Sequence, residues 1–301
     1  MTRPKILVTG TSGLIGGVVA AHLEATCDVF RLGRRESSDL CADFNDPESF
    51  AKLDFSPFAG VVHCAGIVDE DFKEDPRQAF LRATMHSEAF FECLGKAGVG
   101  KVINFSTAHV YGRLNGTIGE STPVAPLSHY GIGHFATECV LRNVARTSGF
   151  ESCSLRPLAV FGFPEVFETF DRGWLIPYSF PTALVEDGKI TLKSRGDQMR
   201  SFVGTRDLAR MVELLLFRDL PLPPVVNAVG KEHLSVYEFA TLCASIFHEK
   251  TGKQATVERP EGDAAGGDPL KFECRSLDYS PQDTLETFVA ELISYQLKQK
   301  K

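Results

Sequence analysis

Thr9-Gly10-Thr11-Ser12-Gly13-Leu14-Ile15-Gly16 follows a short apolar run, Ile6 to Val8, and opens an amphipathic one. The order reads as strand, glycine turn, helix. Gly10 permits the tight turn, Gly13 lets a pyrophosphate approach bare backbone, and Gly16 lets the helix pack closely on the sheet. Phosphate charge would then sit on free N–H groups at the positive end of that helix. Three glycines at this spacing say little alone. The strand before them, the helix after them and the βα alternation that continues down the chain give them weight.

Outward from this turn, Leu14 to Ala25 has helical apolar spacing, and Asp28 to Leu32 returns as a strand ending in Gly33-Arg34-Arg35. An acid at that strand end would hydrogen-bond the ribose 2′-hydroxyl of NAD, whereas arginines can pair with the 2′-phosphate of NADP. The pair therefore favours NADP(H), with NAD(H) possible; two solvated surface arginines are the alternative. Leu40 to Asp43 reads as a third strand ending in an acid, a helix follows Pro47, and Gly60 to Cys64 reads as a fourth strand running into Ala65-Gly66. Helical spacing covers Pro76 to Ala97, Lys101 to Phe105 is a fifth strand ending at Ser106-Thr107, Ser128 to Thr147 is a long helix, and Ser152 to Leu155 is a strand ending at Arg156-Pro157. In an open parallel sheet ligands lie beyond the carboxyl ends of the strands, which is where Ser106 and Thr107 fall.

From Phe161 the alternation stops. Pro164, Pro177 and Pro181 interrupt an aromatic-rich stretch around Trp174, Tyr178 and Phe180, and a loop from Glu261 to Asp268 precedes a final helix, Thr284 to Leu297. Asp207 to Phe217 and Val225 to Val229 still read as a helix and a strand returning to the main sheet. The expected fold class is α/β, a Rossmann-type doubly wound parallel sheet with a smaller, mostly C-terminal lobe. The dinucleotide-binding domain would take residues 1–162 plus about 202–230, and the substrate lobe about 163–201 plus 231–301.

Composition excludes several function classes. The 301 residues are 43% hydrophobic and 24% charged, with a net charge of −7 and no block of Lys or Arg, so neither nucleic acid nor a membrane surface has an electrostatic footprint. No apolar run is long enough to span a bilayer and no basic, apolar leader precedes the first strand, so the expected location is cytoplasmic. The eight cysteines are scattered without a CxxC pair, and read as reduced, small core residues with no metal site.

With these pieces in place the chain resembles the extended short-chain dehydrogenase/reductase family, the nucleotide-sugar epimerases, dehydratases and reductases. The resemblance rests on Thr9 to Gly16 for TGxxGxxG, Val62-His63-Cys64-Ala65-Gly66, Ser106-Thr107 followed by Val110-Tyr111-Gly112, and Tyr130. It continues through Leu155-Arg156-Pro157, Val160-Phe161-Gly162, and Gly196 to Val203 leading to Asp207. It implies hydride transfer at a carbinol or ketone carbon, with Tyr130 as acid and base, Thr107 holding the substrate oxygen, and Tyr130, His134 and Thr107 as the catalytic set. It further implies that Gly10, Thr11, Ser12, Gly13, Leu14, Ile15, Gly16, Arg34, Arg35, Asp43, Phe44, Cys64, Ala65, Gly66, Tyr130, His134 and Pro157 contact the cofactor. Ser106, Thr107, His109 and Arg200 would contact substrate.

Several positions depart from the family pattern. The lysine one helical turn after the tyrosine, which helps the phenol ionise, is His134, only partly protonated near neutrality and shorter in reach. Ala108 and His109 stand where dehydratases carry an acidic pair, Ala159 and Ala83 where asparagines are usual. Elimination chemistry thus lacks its acid, with His109 as a candidate proton donor or a pocket wall. The leading expectation is an NADP(H)-dependent reductase of a keto group on a nucleotide-linked or related sugar. A nucleotide-sugar epimerase is the nearest alternative, and an NADP(H)-binding protein without turnover is a third. Homodimerisation is expected through the helices at 76–97 and 128–147.

Overall fold

A computed structural model describes residues 3–35, 38–167, 170–262 and 268–300. Strands β1 (Lys5–Thr9), β2 (Asp28–Gly33), β3 (Leu40–Cys41), β4 (Gly60–His63) and β5 (Lys101–Phe105) alternate with α1 (Leu14–Leu23), a 3-10 turn at Pro47–Lys52, and the run α2 (Asp69–Glu74), α3 (Pro76–Leu81) and α4 (Ser87–Lys96). A 3-10 turn at Ala108–Tyr111 leads to β6 (Thr117–Ile118), α5 (His129–Ser148), β7 (Glu151–Pro157) and β8 (Ala159–Phe161). The remainder is α6 (Ile176–Asp187), β9 (Lys189–Thr191), β10 (Met199–Gly204), α7 (Thr205–Leu216), β11 (Val225–Ala228), β12 (Glu232–Ser235), α8 (Val236–Thr251), β13 (Thr256–Glu258), β14 (Lys271–Phe272) and α9 (Leu285–Gln299).

Among the described residues seven strands form one parallel sheet in the order β11-β7-β5-β4-β1-β2-β3. Leu7, Val8, Val61, Val62, Val102 and Ile103 are fully buried, as expected of strands covered on both faces. Helices α1 and α7 cover one face through Val19, Leu23, Leu208, Val212 and Leu215. Helices α4 and α5 cover the other through Phe90, Phe91, Leu94, Leu141 and Val144. The strand order turns back between β1 and β4, and in such a sheet the crevice at that point receives the ligand.

Past Pro157 the chain returns to this sheet through β11, while β8 pairs with β10 and β10 with β12 in a separate three-stranded sheet. Helices α6, α8 and α9 pack on it through Tyr178, Phe239, Phe288 and Leu292, making a second core. The proline-interrupted stretch is therefore helical in part. Pro177 sits in the first turn of α6, where its missing N–H costs nothing, and Pro181 removes one bond that burial of Tyr178 and Leu184 offsets.

Other expectations shift locally. The run 76–97 is not one α-helix: residues Arg82–His86 widen into a π turn between α3 and α4. The segment after Pro47 is a 3-10 turn, and the third strand stops at Cys41. Of the cysteines, Cys27, Cys153 and Cys243 are buried, but Cys41 and Cys139 are exposed, so the core reading holds for only part of the set. Most of the expected 261–268 loop, residues 263–267, lies outside the described residues. Among the described residues no helix is long and apolar enough to cross a membrane, and no group of His, Cys, Asp and Glu is arranged to hold a metal.

Candidate active site

Thr9 closes β1 and stitches it to the loop beyond β4. Its Oγ1 accepts from the amides of Cys64 at 3.1 Å and Ala65 at 3.0 Å, and lies 3.0 Å from Nδ1 of His63. A hydroxyl has one hydrogen, so that hydrogen goes to Nδ1 and His63 is the neutral Nε2–H tautomer. Burial, with a smaller push from His134, carries the His63 pKa down to about 3. Gly10, at φ +68°, turns the chain immediately afterwards, and a Cβ there would stand 2.6 Å from the carbonyl carbon of Cys64. A Cβ on Gly16 would stand 2.4 Å from the carbonyl oxygen of Gly10. Both glycines are thus required by close backbone approach.

A cavity of about 450 Å³ opens over this crevice. Gly13 caps α1 with extended backbone and no side chain satisfies the helix's first N–H groups, nor does an acid occupy its first turn. Uncapped N–H donors facing a cavity fit a diphosphate. At the far side Arg34 and Arg35 line the cavity, both exposed and neither ion-paired among the described residues. The Phe44 ring lies tilted against His63, with ring centroids 5.1 Å apart, and its carbonyl accepts from Nδ1 of His86 at 2.7 Å. The Asp43 carboxylate accepts from the Asn45 amide at 2.9 Å and so shapes its own turn.

The other end of the cavity meets α5, which starts at the Ser128 cap, its Oγ accepting from the Gly131 amide at 3.2 Å. The His134 ring lies edge-on to the Tyr130 ring, centroids 4.5 Å apart, and its Nε2 is 3.1 Å from the carbonyl oxygen of Ile67. Burial takes the His134 pKa to about 4, partly opposed by that hydrogen bond. The imidazole is neutral at pH 7, so it does not supply the fixed cation that a lysine would. Tyr130 is pushed upward by burial, against the Thr107 hydroxyl and the charge of Arg172, which favour the phenolate. The His109 ring also lies edge-on to Tyr130, centroids 5.9 Å apart, its pKa lowered by its enclosed surroundings and then by Arg200.

Of the residues singled out from the sequence, Gly10, Ser12, Gly13, Leu14, Arg34, Arg35, Asp43, Phe44, Cys64, Ala65, Gly66 and His134 line the cavity together. Thr11, Ile15, Gly16, Ser106, Thr107, His109, Tyr130, Pro157 and Arg200 are not in its lining. Thr107, Tyr130 and His109 gather beside it, and the charge of Arg200, on β10, reaches His109. Ser106 points elsewhere: its hydroxyl donates to Glu138 at 2.5 Å, in a buried cluster where Glu138 also takes two bonds from Arg156. Its hydrogen is committed to that structural pair and not to a substrate.

Sequence reasoning missed His63, the 2.5 Å ion pair of Arg82 with Asp71, and Arg172, all of which line the cavity. His63 stood inside the Val62 to Gly66 motif, and its place at the carboxyl end of the fourth strand was the available signal. Arg82 and Arg172 had none, one lying in a π turn and the other in an irregular segment.

A family model described as NAD dependent epimerase/dehydratase family matches residues 6–228. A UDP-glucose 4-epimerase of Azospirillum brasilense is 32% identical over 173 residues, covering 53% of this chain and 50% of that protein. The chain spans about half the length of several of the sequence relatives it matches. Among solved structures, MoeE5 in complex with UDP-glucose and NAD has a TM-score of 0.78 at 22% identity, covering 99% of this chain and 100% of that one. RMD from Pseudomonas aeruginosa complexed with NADPH has a TM-score of 0.78 at 18% identity, covering 98% and 99%. These structural likenesses establish the α/β fold.

Proposed function

We propose, on the premise that this chain belongs to the NAD dependent epimerase/dehydratase family, that it inverts a carbinol carbon of a nucleotide-linked sugar by oxidation and re-reduction at the same carbon. The sequence reading put net keto-sugar reduction first and epimerisation second. Relatives named as UDP-glucose 4-epimerases support the reverse order. The observation that supports the reading is the pairing of the Tyr130 phenol with the Thr107 hydroxyl, and of the Tyr130 ring with His134, which lines a cavity shared with Gly10, Ser12, Gly13 and Leu14.

Bound in that cavity, a nicotinamide dinucleotide would supply the acceptor and donor of hydride. The chain's own residues do the rest. The open N-terminus of α1 holds the diphosphate. Thr107 positions the sugar hydroxyl, and Tyr130 takes its proton as the carbinol becomes a ketone and returns it after the ketone turns its other face. This reading assigns the anionic nucleotide of the sugar to Arg200 on β10, whose charge reaches His109 on the turn after β5.

One observation favours net reduction with NADPH as a second reading: Arg34 and Arg35 stand exposed in the cavity, free to pair with a 2′-phosphate. The two separate in one assay. With UDP-glucose and catalytic NAD, proton NMR should show the C4 epimer growing toward a fixed ratio, with Tyr130→Phe slower by about 10²–10⁴-fold. Stoichiometric loss of NADPH absorbance with a keto-sugar, and no epimer from any nucleotide sugar, would establish the reductase instead.

A further inference from the structure

We infer that Arg82, the first residue of the π turn, binds a phosphate of the dinucleotide, with Asp71 holding one tip of its guanidinium and the other tip left for the ligand. The inference rests on reading the cavity as the dinucleotide site. Arg82 and Asp71 both line it, as do Gly10, Ser12 and Gly13 of the turn before α1. The Asp71 carboxylate is divided between two partners. One oxygen accepts from the Val68 amide at 2.7 Å, capping α2, and the other pairs with Nη2 of Arg82 at 2.5 Å. Nε of Arg82 is enclosed with no hydrogen-bond partner among the described residues. Nη1 likewise pairs with no described residue, but unlike Nε it is not enclosed. A guanidinium fork with one edge on a carboxylate keeps N–H donors for a phosphate oxygen.

The π turn gives this side chain a fixed mount. The Arg82 carbonyl accepts from the Ser87 hydroxyl at 2.6 Å, the Ala83 carbonyl accepts from Thr137 on α5 at 2.8 Å, and His86 donates to the Phe44 carbonyl at 2.7 Å. The turn is thereby tied to α4, to α5 and to the segment after β3, and π turns inside helices recur at functional sites. The loop that leads to α2 lies against the glycine turn. Thr9 Oγ1 accepts from the amides of Cys64 and Ala65, and a Cβ on Gly10 would stand 2.6 Å from the Cys64 carbonyl carbon. Arg82 thus lines the cavity from the wall that adjoins the start of α1. Charge agrees with an anionic ligand: four arginines, Arg34, Arg35, Arg82 and Arg172, line the cavity against three aspartates, in a chain whose net charge is −7.

The test titrates the full chain with NADH and with NADPH by nicotinamide fluorescence. Arg82→Gln should weaken binding roughly tenfold or more, the effect of losing one charge-assisted bond. An equal loss for the two ligands assigns the contact to the diphosphate they share, and a loss confined to NADPH assigns it to the 2′-phosphate. Asp71→Asn still accepts from the Val68 amide and leaves the guanidinium in place, so it should bind both ligands as tightly as the parent or more tightly. A pair that only braced α2 would lose affinity equally from either side. Arg82→Lys keeps a cation beside Asp71 but has a single nitrogen to share, so it should weaken binding by a smaller factor, and it carries the test if Arg82→Gln does not fold. Affinity equal to the parent's in Arg82→Gln, or in Arg82→Lys where that variant alone folds, overturns the inference, as do equal losses in Arg82→Gln and Asp71→Asn. The underlying reading fails differently: a parent that binds neither dinucleotide removes the cavity's assignment before any variant is made, and the inference with it.

Discussion

Nε2 of His134 lies 3.1 Å from the carbonyl oxygen of Ile67, tying the second turn of α5 to the loop that follows β4. A carbonyl only accepts, so Nε2 carries the hydrogen and the ring acts as a strut between two walls of the cavity. The strut has a pH signature. The folded pKa of about 4 lies below the ordinary 6.5, so between those values the unfolded chain binds a proton that the folded one refuses. Stability is therefore full above pH 6.5 and falls as pH drops toward 4, by about 3 kcal/mol at 1.36 kcal/mol per unit. His63, shifted to about 3, acts in the same direction over a window reaching lower. Urea unfolding at pH 7, 6, 5 and 4 should show the decline, and His134→Gln, which keeps a donor for Ile67 without titrating, should make it shallower while His63 still contributes. An identical pH slope in His134→Gln would rule the strut out as its source.

How much of this was legible in the sequence depends on which residues one asks about. Gly10 and Gly16 were readable because their role is steric and local, enforced by backbone atoms six residues apart or at the end of the adjacent strand. The π turn at Arg82–His86 was not, because apolar spacing near 3.6 does not register one extra residue in a turn, and Arg82 was hidden with it. Helix α6 was obscured by prolines whose cost only tertiary burial reveals. The departure at position 134 was visible as a change of residue type. That the histidine would be neutral was not, since its pKa is set mainly by burial, partly opposed by the carbonyl of Ile67, 67 positions away in sequence.

Gly16→Ala should damage both fold and binding. The new Cβ would meet the Gly10 carbonyl oxygen at 2.4 Å, and neither atom belongs to a flexible side chain, so the turn must move. The expected result is a lower unfolding temperature together with dinucleotide affinity reduced at least tenfold in a fluorescence titration. Gly119→Ala, where a Cβ would meet nothing within 4 Å, serves as the contrast and should be neutral or slightly stabilising. Equal behaviour of the two variants would refute the steric account of the turn.

Assembly can be tested on the helices expected to form it. Leu81 and Met85 at the α3 end and π turn, and Ile132 on α5, are large apolar side chains left 38%, 64% and 41% exposed. A second copy of this chain packing there would cover them, as an isologous interface does. Light scattering should then give twice the chain mass for the parent and a monomer for Met85→Glu with Ile132→Glu. A parent that is monomeric across micromolar concentrations defeats the dimer.

The final prediction concerns which dinucleotide the cavity prefers. Arg34 and Arg35 leave the end of β2 exposed, lining the cavity beside Asp43 and Phe44, with no ion pair to another described residue to give up. A 2′-phosphate there would gain charge-assisted bonds worth roughly 1.5–3 kcal/mol, more than a tenfold change in affinity. The ribose hydroxyl of NADH would gain no such term. Arg34→Ala with Arg35→Ala should therefore weaken NADPH by at least tenfold and leave NADH nearly unchanged, and added salt should erode the preference of the parent. Both ligands can be titrated by nicotinamide fluorescence without any knowledge of the sugar. Equal affinity of the parent for the two dinucleotides would show that the arginines are solvated surface charges, and would remove the one observation that favours net reduction over epimerisation.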